Sequence, residues 1–289
     1  MSEATTSVLR RRFAGGPVAV DSDEVAREEP LELRLGGASL AVVMRTPGED
    51  VELAMGFLVT ERVIESAAQV ASVRHAALAP DAEAAENVMQ VVLADDVVVD
   101  FDRLRRNLYS SSSCGICGKA TIENVLASAP PLRDTVRFPA DFFYALPERL
   151  RQSQVAFERT GGMHAAGLFA ADGSLLVVRE DVGRHNAVDK VIGWALRNGR
   201  VPLEGCVLLV SGRVSYEIVQ KALAARVPVV AAVSAPSSLA IELAARSGVT
   251  LLAFLRERSF NVYGCGERVL ESPTRESIEI SAGKSPELE

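Results

Sequence analysis

The sequence predicts an α/β chain in which a C-terminal unit, built on a largely parallel sheet, is joined to a smaller N-terminal α+β unit. Residues 206–210, 227–233 and 249–255 are short runs apolar on both faces, and residues 214–225 and 237–245 between them carry apolar positions at helical spacing. Strands buried on both faces and separated by helices of crossover length make a βαβαβ unit. Near the start of the chain, extended segments over residues 31–43 are split by Gly36-Gly37, a natural hairpin turn that begins a separate small sheet.

The elements follow in order. Thr46-Pro47-Gly48-Glu49 offers an N-cap hydroxyl, a proline at the first helical position and a glutamate at the third, and Val51, Ala54, Met55 and Leu58 continue it as an amphipathic helix. Residues 76–86 are rich in alanine and acids without a clear period, whereas residues 88–99 return to a β-rich pattern around Asp95-Asp96. Residues 103–119 differ from their surroundings. Arg103, Arg105 and Arg106 lead through Tyr109 and four serines to Cys114-Gly115-Ile116-Cys117-Gly118-Lys119, the composition of a mobile loop. Ile122, Val125 and Leu126 then recur at helical spacing until Pro130-Pro131, and Pro139 and Pro147 punctuate the connector. Residues 165–170 and 175–179 flank a turn and predict a hairpin, followed by a helix through Val188, Val191, Ile192 and Ala195. The expected division is residues 1–150, residues 151–271 and a disordered tail over residues 272–289, which is rich in Ser, Glu and Pro.

Composition narrows the function. A chain of 289 residues that is 48% hydrophobic and 24% charged can bury a core without staples. No apolar h-region follows the arginines at 10–12 and no run reaches membrane-spanning length, so the expected address is the cytoplasm. The net charge of −7 opposes nucleic-acid coating, which depends on neutralising phosphates. Four cysteines, two of them in Cys114-x-x-Cys117, are too few for a disulfide scaffold and point to thiol chemistry or a metal in a reducing compartment.

In open α/β sheets ligands gather beyond the carboxyl ends of strands. Those positions are Ser211-Gly212-Arg213, Ser234 to Ser238 and Arg256 to Asn261, whose hydroxyls, glycine and arginines suit an anion, although capping and turn formation alone would also select them. Cys114 and Cys117 can form one disulfide or share one metal. An exposed thiolate beside Lys119 and the arginines can carry sulfur as a persulfide. Half of a zinc site is the competing reading, with His75, His164, His185, Cys206 and Cys265 as the remaining candidate ligands, none of them forming a second close pair. His164 and His185 each occupy glycine-containing polar turns, where structural and functional roles are evenly balanced. Glu180, Asp181 and Arg184 are candidates to fix the tautomer and tune the pKa of His185. Met163 and Trp194 read as packing residues.

Several long segments together carry a resemblance: SSSSCGICGK ending at Lys119, TGGMHAAGLF from Thr160, REDVGRHNAVDKVIG from Arg179, SGRVSYEIVQKA from Ser211, APSSLAIELA from Ala235 and FNVYG from Phe260. From the helix at Thr46 to Val269 the chain resembles the FdhD family of formate dehydrogenase accessory sulfurtransferases. The resemblance implies a sulfur carrier rather than a metabolic enzyme, with Cys114 as the persulfide-bearing residue and Cys117 as its partner. It implies sulfur passed from a cysteine desulfurase to the molybdenum bis(guanine dinucleotide) cofactor, held as a bound substrate, before insertion into formate dehydrogenase. It also implies a homodimer with a cytidine-deaminase-like C-terminal domain and no permanent metal. Phe260, Asn261, Val262, Tyr263, Gly264 and Cys265 would belong to the cofactor surface, joined by Gly212 and Arg213 from the strand-end reading and by His185 from its polar turn. The chain departs from the family pattern at Gly264-Cys265-Gly266, so side-chain contacts there are in doubt. The His-x-Glu and Pro-Cys-x-x-Cys elements of a zinc deaminase are absent in that order. A zinc-bound adaptor that only chaperones a partner enzyme is the alternative of a different class.

Overall fold

A computed structural model describes residues 4–76, 85–99, 101 and 130–271. The expected cysteine loop, with Cys114 and Cys117, the helix through Ile122 and the tail from Ser272 lie outside the described residues.

Strands β1 (Thr5–Arg12) and β2 (Ala19–Ala26) form an antiparallel ribbon. The expected hairpin is present as β3 (Glu29–Leu35) and β4 (Ala38–Arg45). Gly36 and Gly37 have φ of 56° and 87°, left-handed values that glycine adopts without a Cβ clash. With β5 (Val70–His75) and β6 (Val88–Leu93) these strands give a four-stranded sheet in the order β4-β3-β6-β5. The β pattern ends at Leu93, because residues 94–97 turn, with Val97 N–H donating to Ala94 O.

Helix α1 (Asp50–Thr60) starts later than its capping pattern predicts. Its N-cap is Glu49, in the left-handed region at φ 53°, while the Thr46 hydroxyl accepts from Val182 N–H at 3.1 Å and lies 3.5 Å from Met163 Sδ. A distant loop has taken the hydroxyl that would otherwise cap the helix.

The C-terminal half follows its predicted rhythm. After β7 (Phe138–Pro139), α2 (Ala140–Tyr144), α3 (Leu146–Gln152) and α4 (Val155–Thr160) come the hairpin β8 (His164–Phe169) and β9 (Leu175–Asp181) and helix α5 (Arg184–Arg197). The βαβαβ unit is β10 (Val207–Val210), α6 (Tyr216–Ala224), β11 (Val229–Ala232), α7 (Ser238–Ser247) and β12 (Thr250–Arg256). Strand β13 (Ser259–Tyr263) completes a sheet of order β13-β12-β11-β10-β8-β9, and β14 (Val269–Leu270) pairs with β7. Strands β10, β11 and β12 are parallel, as the apolar runs predict, but β8 and β13 pair antiparallel on either side of them and β9 antiparallel to β8, so the sheet is mixed rather than largely parallel: the predicted hairpin joins it instead of standing apart.

Alternation along each strand sorts the core into two faces. Leu208, Val210, Val230 and Ala232 look toward α5, α6 and α7, and this cluster continues through α1 to Leu31 and Leu33 of the smaller sheet. Val207, Leu209, Val229 and Ala231 pack on the other face against Phe138, Phe143, Leu146 and Leu150. Each fully buried Leu or Val contributes about 1.5–3 kcal/mol. The two sheets therefore share one core through the α1–α5 contact, which fixes the edge where α5 begins.

Candidate functional site

Register places five strand ends on one edge of the large sheet. Val210 pairs with both Ala166 and Ala232, and His164 pairs with Asp181, so the starts of β8 and the ends of β9, β10 and β11 coincide, with the end of β12 alongside. Helices α5, α6 and α7 all begin at this edge. The loops are stitched together: Ala165 N–H donates to Ser211 Oγ at 2.9 Å, Val214 N–H to Ala235 O at 3.1 Å and Ser237 N–H to Val214 O at 2.9 Å. Arg256 Nη1 donates to Val233 O. The expected rim of Ser211-Gly212-Arg213, Ser234 to Ser238 and Arg256 exists as a continuous edge, and helix starts there favour negative charge.

Gly212 lies close over the His164 ring. A Cβ there would stand 3.1 Å from His164 Nδ1 and 3.8 Å from Arg184 Cδ, so glycine lets the loop rest on the imidazole. Burial pushes the His164 pKa below its ordinary value, Arg184 and Arg213 push it further, and Asp181 opposes them. His185 is lowered to about 4, by burial first and then by Arg184 and Lys221, with Glu217 acting in the opposite sense. Both imidazoles are therefore neutral at pH 7, each able to accept at one nitrogen and donate at the other.

The partners of His185 differ from those expected. Its Nε2 lies 3.1 Å from Ser215 Oγ and 3.9 Å from Glu217 Oε2, both at the start of α6. Burial works to raise the Glu217 pKa, but the Ser215 hydroxyl, Glu217's own N–H and the nearby His185 and Arg184 bring it below the usual value. Glu180 instead accepts from Ala156 N–H and Phe157 N–H, both at 2.8 Å, satisfying the first turn of α4. Asp181 is fully buried and accepts from Thr46 N–H, Gly183 N–H, Asn186 Nδ2 and Lys190 Nζ at 2.8–3.1 Å. It holds the turn that carries Arg184 and His185 and touches neither. Of the three proposed neighbours, Arg184 alone tunes His185.

Sequence reasoning left further polar groups unassigned. Lys221 on α6 reaches Asp189 at 2.8 Å and Thr60 at 3.0 Å, with Glu61 at 3.8 Å. Burial opposes its charge, but Asp189 and Glu61 raise its pKa above the ordinary value. Ser215-Tyr216-Glu217, a hydroxyl and an acid at a helix start just after Arg213, was the available signal for the first pair of His185 partners. Nothing in the spacing of Thr60, Asp189 and Lys221 announces that they meet.

The segment from Phe260 to Cys265 crosses the sheet rather than lining its rim. Strand β13 is antiparallel to β12, with Ser259 opposite Arg256 and Tyr263 opposite Leu251. The Phe260 ring packs edge-on against Phe143 with centroids 5.4 Å apart and lies 5.8 Å from Tyr144. Asn261 Nδ2 approaches Tyr263 Oη at 3.3 Å, and Val262 is exposed. Gly264, at φ 64°, lies over Ala245, and the Cys265 Sγ is 3.9 Å from Ala245 O, near the amino end of β12. Burial pushes the Cys265 thiol up, as it does Cys206. Gly212, Arg213 and His185 thus share the rim, Phe260 begins near it with its ring engaged in packing, and Gly264 and Cys265 lie at the opposite edge.

Fold and edge together define a mixed α/β protein with neutral imidazoles, arginines and helix starts converging on one sheet edge. The chain belongs to the FdhD/NarQ family, whose model matches residues 26–270. It is 51% identical over 266 residues to the sulfur carrier protein FdhD of Mycolicibacterium paratuberculosis, covering 90% of this chain and 98% of that one. The sulfur carrier protein FdhD of Streptomyces coelicolor is also 51% identical over 266 residues, covering 89% and 93%. The crystal structure of a protein provisionally named a formate dehydrogenase accessory protein, from Desulfotalea psychrophila, matches with a TM-score of 0.73 at 26% identity, covering 93% of this chain and all of that one.

Proposed function

We propose that this chain is a cytoplasmic sulfur carrier for formate dehydrogenase maturation, in which Cys114 bears a persulfide and hands its sulfur to the molybdenum bis(guanine dinucleotide) cofactor. The observation that supports it most is that Cys114-Gly115-Ile116-Cys117 falls inside the matched residues 26–270 of a family whose relatives are named sulfur carriers. In the proposed loading step the Cys114 thiolate attacks the outer sulfur of a cysteine desulfurase persulfide, forming a Cys114 persulfide and releasing the desulfurase thiolate. In release, the Cys117 thiolate attacks the inner sulfur of that persulfide. A Cys114–Cys117 disulfide forms, hydrosulfide leaves for the cofactor, and a cellular dithiol reduces the bridge.

The rim suits the anionic part of such a cofactor. Arg213 and the starts of α5 and α6 supply positive potential, Gly212 allows close approach, and His164 and His185 offer neutral hydrogen-bonding edges. The order and mixed direction of the six-stranded sheet support the deaminase-like kinship that the family resemblance implies. We extend the reading to a homodimer. Cys114→Ala should abolish activation of formate dehydrogenase in cells while leaving the carrier folded, and full client activity in that strain would overturn the proposal. Stoichiometric zinc in protein purified without added metal would favour the adaptor alternative.

A further inference from the structure

Helices α5 and α6 meet along two polar rungs. His185 and Asp189 stand one turn apart on α5, and Glu217 and Lys221 stand one turn apart on α6, so each pair lies on a single helix face. The outer rung is at the rim, where Ser215 Oγ is 3.1 Å and Glu217 Oε2 3.9 Å from His185 Nε2. The inner rung is buried: Lys221 Nζ donates to Asp189 Oδ2 at 2.8 Å and to Oδ1 at 3.0 Å. Thr60 of α1 closes it, its hydroxyl donating to Asp189 Oδ1 at 2.9 Å and accepting from Lys221 Nζ at 3.0 Å. The three donors of the ammonium group thus have three acceptors.

A buried ion pair gains little stability over apolar side chains of the same volume, and its best-attested use is to fix the register of packed helices. The register at stake here is that of Ser215 and Glu217 against His185. Glu217 is a carboxylate at neutral pH and can only accept, and the Ser215 hydroxyl gives its hydrogen to that carboxylate. The Ser215 oxygen is then left to accept from His185. Nε2 therefore carries the imidazole proton, and Nδ1 is an acceptor. A phosphate or carboxylate brings no hydrogen and finds no match at Nδ1, whereas an N–H, O–H or S–H group does.

We propose that Lys221, through Asp189, is a positioning residue: it locks α6 against α5 so that Ser215 and Glu217 hold His185 as the Nε2–H tautomer, with Nδ1 presented to a hydrogen-bond donor of the bound substrate. The assignment rests on the sulfur-carrier reading for what that substrate is. The tautomer and its dependence on Lys221 follow from the helix pair alone.

The test is NMR of the full chain carrying isotopic nitrogen in its three histidines, with His185→Gln assigning the His185 signals. At pH 7 the wild-type ring should be the Nε2–H tautomer alone. Lys221→Met with Asp189→Asn removes both charges at nearly constant volume. This double variant should stay folded in a thermal melt, show mixed tautomers at His185, and activate formate dehydrogenase in cells roughly tenfold or more less well, the scale of loss that misplacing a working group brings. Lys221→Arg keeps the charge and should retain the single tautomer and most of the activation. An Nδ1–H tautomer in the wild type would overturn the assignment, as would a folded double variant with the wild-type tautomer or wild-type activation. A double variant that fails to fold would make the pair a requirement of the fold rather than of the site, and overturns it too. Client activation that survives Cys114→Ala would instead remove the sulfur-carrier reading, while the tautomer result would stand on its own.

Discussion

Gly56 of α1 and Gly193 of α5 bring two helix backbones into direct contact: a Cβ on Gly56 would lie 1.8 Å from Asp189 O, and one on Gly193 would lie 1.8 Å from Glu52 O. The relation is reciprocal, so neither helix can shift to admit a methyl group at one position without disturbing the other. Alanine would gain about 0.5–1 kcal/mol of intrinsic helix preference at either position. Overpacking costs more, typically about 1–3 kcal/mol. Gly56→Ala and Gly193→Ala should each lower stability by about 2 kcal/mol or more in chemical denaturation, and a stabilised variant would contradict the packing.

The turn that carries His185 depends on a buried ion pair. Lys190 is fully buried, 2.9 Å from Asp181 Oδ2 and 2.9 Å from Thr46 O. Removing one member leaves a buried charge without its partner, a loss of about 3–5 kcal/mol. Lys190→Met should be destabilised by that order in urea titration. Asp181→Asn with Lys190→Met should recover part of the loss, because both charges are then gone.

The low pKa of His185 gives stability a pH dependence. Its folded value of about 4 lies below the ordinary 6.5, so the unfolded chain binds more protons between these values. The contribution is fully present above pH 6.5 and is lost as pH falls toward 4. The ring is 35% exposed, so solvent screening softens the effect. His185→Gln should flatten the acid limb of a Tm-against-pH curve, and an imidazole NMR titration should find His185 neutral at pH 5.5. A midpoint near 6.5 would contradict this.

The two described cysteines should be slow nucleophiles. Burial raises both the Cys206 and Cys265 thiols, so alkylation at pH 7 should label them more slowly than an unstructured thiol. Cys206→Ala, at a half-buried position just before β10, should leave client activation intact.

Much of the large sheet was legible because its parallel strands are apolar on both faces, a pattern that needs no tertiary information. Gly36-Gly37 likewise reports a turn by local chemistry alone. The start of α1 was misread because the Thr46 hydroxyl belongs to a contact with Val182, more than a hundred residues away. The rim was found from strand ends, but the pairing of His185 with Ser215 and Glu217 depends on how α5 and α6 lie side by side, which no spacing records. Placing Phe260 to Cys265 with Gly212 and Arg213 overlooked the reversal at β13, which carries Gly264 and Cys265 to the far edge. Gly56 and Gly193 read as ordinary helix glycines until the opposing backbone is known.

The central claim is that Cys114 accepts a transferable sulfur, and intact-mass measurement after incubation with a cysteine desulfurase and cysteine tests it most directly. The account predicts a mass increase of one sulfur atom on the wild-type chain, removed by a reducing agent, absent in Cys114→Ala and retained in Cys206→Ala. An unchanged wild-type mass, or an equal increase in Cys114→Ala, would contradict it.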